Sequence, residues 1–510
     1  MNGWVDTQLI ALLRADLTAA RFTVDHLDAL WGPAAQEALR RGNRVPASRA
    51  LAASGYPAAV LGRLFVLGET VPAEELARVL PNLGVAGAEQ LELVRVDGEA
   101  VAPLVDLRPY GFADLHGAGE WWLASDLGEL ALGGALPTDH VLGVGGASMT
   151  LARLQFPDDV DSVLDLGTGC GIQALHARRF ARRVVATDIS ERALRYARFN
   201  AAVNDVDGIE FRLGSLYEPV AGETFDRIVT NPPFVITPRT PGVPEYEYRD
   251  GGREGDALVA EVIAGAAAHL NPGGTAQLLG NWEYRVDADG LTRAADWASD
   301  AGLDVWVLER DRLDPARYAE TWIRDGGTRP GTPEFEHLVS AWMDDFARRG
   351  VTEVGFGYVV LRRPLEAPPF RRPERVEAPL DEAVGIGAHL SQVLRSHDAI
   401  AGLDDEALAA VHFRVAPDVT EERSHWPGHA DPSVIVLRQG GGLRRELRAD
   451  AALAAVVGAC DGELALGVIL DAVAQLLETD AAAMRKALLA EVRELVVDGF
   501  LEPTSVLGPA

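Results

Sequence analysis

Val163-Leu164-Asp165-Leu166-Gly167-Thr168-Gly169-Cys170-Gly171-Ile172 is the stretch on which the fold turns. An apolar run ending beside an acid, followed by glycines at 167, 169 and 171, reads as a buried strand, a tight loop and the start of a helix. Glycine lets backbone approach a ligand closely and adopt conformations closed to other residues. A lone Gly-x-Gly carries little information. A strand before it, a helix after it and an acid downstream make it a cofactor loop. A dinucleotide fingerprint needs Gly-x-Gly-x-x-Gly, with a pyrophosphate at the helix N-terminus. Here position 172 is Ile, and Asp165 stands just before the loop. A carboxylate there repels a pyrophosphate and attracts a sulfonium or an α-amino group. The ligand expected at this loop is therefore partly cationic.

The next strand ends at Thr187-Asp188, and Asp188 lies 23 residues after Asp165. That is near the spacing of about 20 residues at which such folds place a ribose-binding acid. A carboxylate can accept from both ribose hydroxyls. Ser190 is the better N-cap for the helix starting near Glu191, which frees Asp188 for the ligand.

Outward from this core, strand and helix alternate. Val163–Leu166, Val184–Thr187, Ile209–Leu213, Arg227–Thr230, Ala276–Leu279, Val305–Leu308 and Phe356–Leu361 read as strands. Leu175–Phe180, Glu191–Ala202, Asp256–His269, Leu291–Ala301 and Pro333–Arg349 read as helices. Apolar strands separated by amphipathic helices predict an α/β, doubly wound, mainly parallel sheet of seven strands over residues 136–363. Ligands of such sheets bind at the carboxyl ends of the strands.

The fourth strand, Phe225–Thr230, runs into Asn231-Pro232-Pro233-Phe234. Consecutive prolines fix φ and remove two donors, and the residue before a proline is pushed extended. The loop is thus stiff and rich in free acceptors. The Asn231 side-chain oxygen and the Pro232 carbonyl can each accept one hydrogen of a planar NH2 group. That arrangement orients the nitrogen and stabilises positive charge developing on it. Phe234 can stack on the flat target. Taken alone, Asn-Pro-Pro reads as a stiff turn; at the end of a strand beside the cofactor loop it reads as the chemistry site.

Asp165 to Gly171 resembles motif I of the class I S-adenosylmethionine-dependent methyltransferases, a Rossmann-like family. The resemblance implies a cofactor set of Asp165, Gly167, Thr168, Gly169, Gly171, Asp188, Ser215, Leu216 and Asn231. It also implies S-adenosylmethionine as methyl donor, S-adenosylhomocysteine as product and no metal. Gly214-Ser215-Leu216 matches the loop that holds adenine in that family, although many members carry Asp where Ser215 stands. Asn-Pro-Pro-Phe in this place is similar to the tetrad of nitrogen methyltransferases, which implies catalytic roles for Asn231, Pro232 and Phe234. Tyr248-Arg249-Asp250-Gly251-Gly252-Arg253-Glu254-Gly255-Asp256 resembles the glycine-rich segment of the release-factor glutamine N5-methyltransferases and of the small-domain rRNA guanine N2-methyltransferases. Phe at 234, where the glutamine enzymes usually carry Tyr, leans toward the RNA group.

The net charge of −29 leans the other way, because it repels phosphate backbones at long range. A protein glutamine side-chain amide is the favoured substrate. A base in RNA or DNA (adenine N6 or guanine N2) or a small-molecule amine is the alternative. A non-catalytic cofactor-binding regulator is more distant, since a sensor need not keep the tetrad. Lys486 is the only lysine, and the arginine excess reads as a GC-rich genome. The two cysteines, Cys170 and Cys460, cannot build a disulfide framework or a zinc site. No run of 18 apolar residues occurs, so no membrane span is expected. Met-Asn-Gly-Trp-Val-Asp lacks the features of a signal peptide, and a cytoplasmic location follows. The oligomeric state is open.

Residues 1–130 read as helices followed by a hairpin at Asp97-Gly98, a winged-helix-like α+β domain. The expected helices are Asp6–Thr18, Val24–Arg41, Ala47–Leu64 (broken near Gly55) and Pro72–Leu80, with strands at Leu91–Val96 and Val101–Leu107. Trp121-Trp122 reads as core more readily than as a recognition platform. Asp139 to Ser148 is either a cover for the cofactor or a plain connector. The proline cluster Pro364, Pro368, Pro369 and Pro373 reads as a linker over 364–376. Residues 377–510 read as a second winged-helix-like α+β domain, with helices Leu466–Leu477 and Ala481–Val497 closed by a Gly499-Phe500-Leu501 turn.

Overall fold

The computed structural model describes residues 6–132, 136–243, 247–365, 369–380 and 385–505. The amino-terminal reading falls largely on Met1–Val5, which lie outside the described residues, as do Pro368 and the last five residues. The chain forms two units: residues 1–152, 159–363 and 370–375 make the first, and 153–158, 364–369 and 376–510 the second.

The first unit is built on a Rossmann-like sheet. Its strands are β1 (Val160–Leu166), β2 (Ala181–Asp188), β3 (Ile209–Leu213), β4 (Phe225–Thr230), β5 (Leu270–Arg285), β6 (Asp304–Leu313), β7 (Val351–Arg362) and β8 (Arg371–Arg375). Their order across the sheet is β8-β6-β7-β5-β4-β1-β2-β3. β7 runs antiparallel to both its neighbours, and the other pairings are parallel. Central residues such as Val163, Leu164, Val184, Val185, Ile228 and Val229 are fully buried, as strands covered on both faces require. Helices α1 (Ile172–Ala177), α2 (Glu191–Val203), α3 (Ala257–His269), α4 (Gly290–Asp300), α5 (Pro315–Asp325) and α6 (Pro333–Arg349) cover it.

The sheet has eight strands where the sequence predicts seven. The extra one, Arg371–Arg375, comes from the expected linker over 364–376 and lies parallel along β6. Proline and charge suggest a linker, but both are tolerated on a sheet edge, where Pro373 loses no ladder bond and charges block further pairing. Phe370 is buried against Trp306, and Trp306 Nε1 donates to Glu374 Oε1 at 2.6 Å.

The amino-terminal segment belongs to the same unit as the sheet rather than standing apart. Val94–Asp97 and Ala100–Pro103 form the hairpin expected at Asp97-Gly98. With Val71–Pro72 they make a three-stranded sheet whose last strand is central. Pro72 caps the helix Ala73–Val79 rather than opening it. The predicted strand Val101–Leu107 is split, and its second part begins a ribbon, Asp106–Asp114 paired with Gly117–Ser125. The edge of that ribbon is met by two side-chain amides, Asn200 of α2 and Asn204 at its C-cap. Asn204 accepts from Trp122 N and donates to its carbonyl, and Asn200 does the same at Ala124. Trp121 is 8% exposed and Trp122 Nε1 donates to the Phe22 carbonyl, so the pair serves packing.

In the second unit, Asp461–Ala465, His412–Val415 and Leu501–Pro503 form one three-stranded sheet, with His412–Val415 in the middle. Helices Leu466–Leu476 and Ala481–Val497 pack over it through Ile469, Leu470, Leu488, Val492 and Leu495. Among the described residues, no helix is long and apolar enough to cross a membrane.

Candidate functional site

Sheet register gathers the predicted residues at one end. Leu166, the last residue of β1, pairs with Thr187 of β2 and with Thr230 of β4. Gly167, Asp188 and Asn231 each follow one of these, so the three loops leave the sheet side by side.

The glycine loop is fastened chiefly by backbone. Gly167 N and Thr168 N both donate to the Thr187 carbonyl, at 2.9 and 2.8 Å. Gly169 N donates to Asp188 Oδ2 at 2.9 Å, while Asp188 Oδ1 accepts from Ser190 N at 2.8 Å. Gly214 N donates to the Asp188 carbonyl at 2.9 Å, which ties in the Gly214-Ser215-Leu216 loop. Ser215 and Leu216 are half-buried there. Gly167, Gly169 and Gly171 all have positive φ, and at Gly171 (φ 90°) a Cβ would lie 2.9 Å from that of Ala197 on α2. Only glycine meets both demands.

Asp165 lies under this loop, with no exposure. Its Oδ2 accepts from Thr168 Oγ1 at 2.5 Å. Burial pushes its carboxyl up to about 7; the Thr168 hydroxyl and the Ala174 amide act the other way. The sequence suggests an acid facing the ligand; the structure shows an acid that also anchors the loop.

On the other side of β1, Thr230 Oγ1 donates to the Leu166 carbonyl at 2.7 Å. Asn231 follows, and its Oδ1 is buried with no hydrogen-bond partner among the described residues. An unpaired buried acceptor costs about 1–3 kcal/mol, a cost that a donor-bearing ligand would offset. Pro232 is buried, while Pro233 and Phe234 are half-buried. The glycine-rich segment packs on this tetrad: a Cβ on Gly251 (φ 56°) would come within 3.0 Å of Pro233 Cγ. Its Asp250 accepts from Gly252 N at 3.2 Å and from Arg239 Nη2 at 2.6 Å.

The connector from 139 to 148 lies along the helices that follow the glycine loop. Gln173 Nε2 donates to the Ser148 carbonyl at 2.7 Å, and Val141 N donates to Asp126, which is paired with Arg192.

Several neighbours of the site are absent from the sequence reading. Ile189 and Leu213 are 66% and 55% exposed beside Asp188, and Leu213 is its register partner. Helix α5 places Trp322 edge-to-face with Phe234, centroids 6.2 Å apart. Arg249 lies 5.5 Å from the centroid of the same indole, whose Nε1 is buried without a partner among the described residues. Asp314-Pro315, an N-cap followed by proline in the first turn, is the signal by which α5 is findable in sequence.

The chain is similar to known proteins over three stretches. Residues 145–289 match the methyltransferase small domain family, and residues 19–104 and 391–503 each match a domain of unknown function. The chain is 40% identical over 165 residues to a release factor glutamine methyltransferase from Xylella fastidiosa, covering 30% of this chain and 59% of that one. It is 35% identical over 156 residues to a release factor glutamine methyltransferase from Deinococcus radiodurans, covering 29% and 55%. It is 34% identical over 151 residues to a ribosomal protein uL3 glutamine methyltransferase from Bradyrhizobium diazoefficiens, covering 28% and 46%. The chain thus spans about half to three fifths of the length of these relatives. Over its central segment it resembles the class I methyltransferases of the release-factor glutamine kind.

Proposed function

We propose that the protein is an S-adenosylmethionine-dependent N-methyltransferase whose acceptor is the side-chain amide of a glutamine in a protein. The observation that carries this reading is Asn231 Oδ1, a buried acceptor with no donor among the described residues, at the end of β4 and level with the glycine loop. The named relatives act on glutamine of release factors or a ribosomal protein, which supports a protein acceptor over a nucleic acid.

The residues present fit the cofactor. Asp165, a buried acid near the end of β1, suits a cationic amino group. Asp188, whose two oxygens accept from Gly169 N and Ser190 N, is the acid at the end of β2 that would take the ribose hydroxyls. Gly167, Thr168, Gly169 and Gly171 form the cradle, and Ser215 and Leu216, with the exposed apolar Ile189 and Leu213, offer a surface for adenine. S-adenosylmethionine, when bound, supplies an electrophilic methyl group on a sulfonium and leaves as S-adenosylhomocysteine.

The chain's own work is orientation. Asn231 Oδ1 and the Pro232 carbonyl each accept one hydrogen of the carboxamide NH2. With both hydrogens fixed, the nitrogen lone pair has one direction left. Positive charge developing on nitrogen strengthens both bonds, so they favour the transition state over the ground state. Phe234 bears on the flat face of the amide. The methyl–sulfur bond breaks as the nitrogen–methyl bond forms; one of the two N–H protons then leaves to water, and the other stays on the methylated amide.

The test is to incubate the protein with S-adenosylmethionine carrying a labelled methyl group and a fractionated cell extract. Label in protein, recovered as N5-methylglutamine after digestion, is the expected result. Label only in RNA, DNA or small molecules overturns the acceptor, and no label in any fraction overturns the transferase.

A further inference from the structure

The tetrad is held from behind by side chains outside the cofactor sheet. Two residues past Phe234, the Ile236 peptide has both polar groups occupied. Its N–H donates to Tyr318 Oη at 2.8 Å, and its carbonyl accepts from Trp342 Nε1 at 3.0 Å. Tyr318 is on α5 and Trp342 on α6, the two helices between β6 and β7. Asn281 of β5 donates from Nδ2 to the same Tyr318 oxygen at 2.8 Å. One residue earlier, Val235 N donates to the Arg249 carbonyl at 2.8 Å, which binds the glycine-rich segment into the same support. Ile236, Tyr318, Trp342 and Asn281 are all buried.

The physical need is specific. Residues 231–240 form neither helix nor strand, so no ladder satisfies their backbone. Buried peptide groups must still be paired. Pro232 and Pro233 leave few soft torsions between Ile236 and Asn231, so a rotation at Ile236 is carried back to the acceptors. Misplacement of reacting groups by about 1 Å can cost about a hundredfold in rate. Helix α5 also touches Phe234 through Trp322, so one element holds the loop by ring and by backbone.

We propose that Tyr318 and Trp342 are positioning residues for methyl transfer, clamping the Ile236 peptide so that the acceptors at Asn231 and Pro232 keep their aim. This rests on the transferase reading above, and the test separates the two. Tyr318→Phe keeps the ring and removes the hydroxyl; Trp342→Phe keeps an aromatic and removes the donor. In full-length protein, hydrogen exchange of the peptide spanning 231–239 is compared with the rest of the chain. Calorimetry with S-adenosylhomocysteine and steady-state transfer to a glutamine-containing peptide complete the set.

In each variant, exchange is expected to rise about tenfold in 231–239 alone, the scale of one lost hydrogen bond. The expected kcat falls about tenfold or more with KM changed less, and cofactor affinity stays within about twofold. Unchanged exchange, unchanged kcat, or cofactor affinity lost in step with kcat overturns the clamp. A wild-type protein that transfers nothing to the peptide while exchange still separates wild type from variants overturns the transferase reading, and leaves the clamp as a structural device only.

Discussion

The two halves of the proposed site, one for cofactor and one for acceptor, are built by different means. On the cofactor half, loops are tied to nearby chain: Gly169 N to Asp188, 19 residues away, and Gly167 and Thr168 to the neighbouring strand end. On the acceptor half, the loop after β4 is held by Tyr318 and Trp342, 82 and 106 residues from Ile236. Local ties can be fixed by a short motif, so the first half shows itself in sequence. Remote ties depend on helices inserted elsewhere, and the second half can vary while its tetrad stays the same. The expected division of labour is that the first half sets cofactor affinity and the second sets turnover.

The sharpest way to break that division is Asn231→Ala. Turnover should fall about a hundred- to a thousandfold, the range for removing one preorganised group from a charge-developing site. S-adenosylhomocysteine affinity, by calorimetry, should change little. A parallel loss of affinity would mean that Asn231 belongs to the cofactor half.

Asp188→Ala probes the other half with a smaller effect. Cofactor affinity should weaken by about 1–3 kcal/mol, the cost of losing hydrogen bonds to a charged group. At saturating cofactor, kcat should be largely retained. Unchanged affinity would remove Asp188 from the site and leave it as a fastener of Gly169.

Legibility followed the same line. β1, β2, β3 and β4 were readable because apolar runs ending in Asp165-Leu166, Thr187-Asp188, Leu213-Gly214 and Thr230-Asn231 carry strand and loop together. The edge strand Arg371–Arg375 was not, because its arginine, glutamate and proline are what an edge tolerates and also what a linker prefers. The ribbon Asp106–Asp114 with Gly117–Ser125 is hidden for a related reason: its edge is completed by Asn200 of α2 and its C-cap Asn204, a partnership that no local pattern announces. Asp165 is legible as an acid ending a strand, but its burial beneath Thr168 is not, since sequence places a residue on a strand without saying what closes over it.

That burial gives the smallest expected effect, and it bears on the cofactor half alone. The folded-state Asp165 carboxyl is raised from 3.8 to about 7, because desolvation disfavours its charge. Between those values the folded chain holds a proton that the unfolded chain has released. Stability from this group is therefore fully present below about pH 4 and is lost as pH rises to about 7. Asp165→Asn keeps the shape and cannot ionise, so it should remove this fall. The melting temperature of cofactor-free protein, followed from pH 4 to 8, should decline by a few degrees less in the variant. Above pH 7 the variant should melt no lower than wild type. An identical pH profile in both would show that Asp165 is not held neutral under the loop, and that its oxygens face solvent or a cation instead.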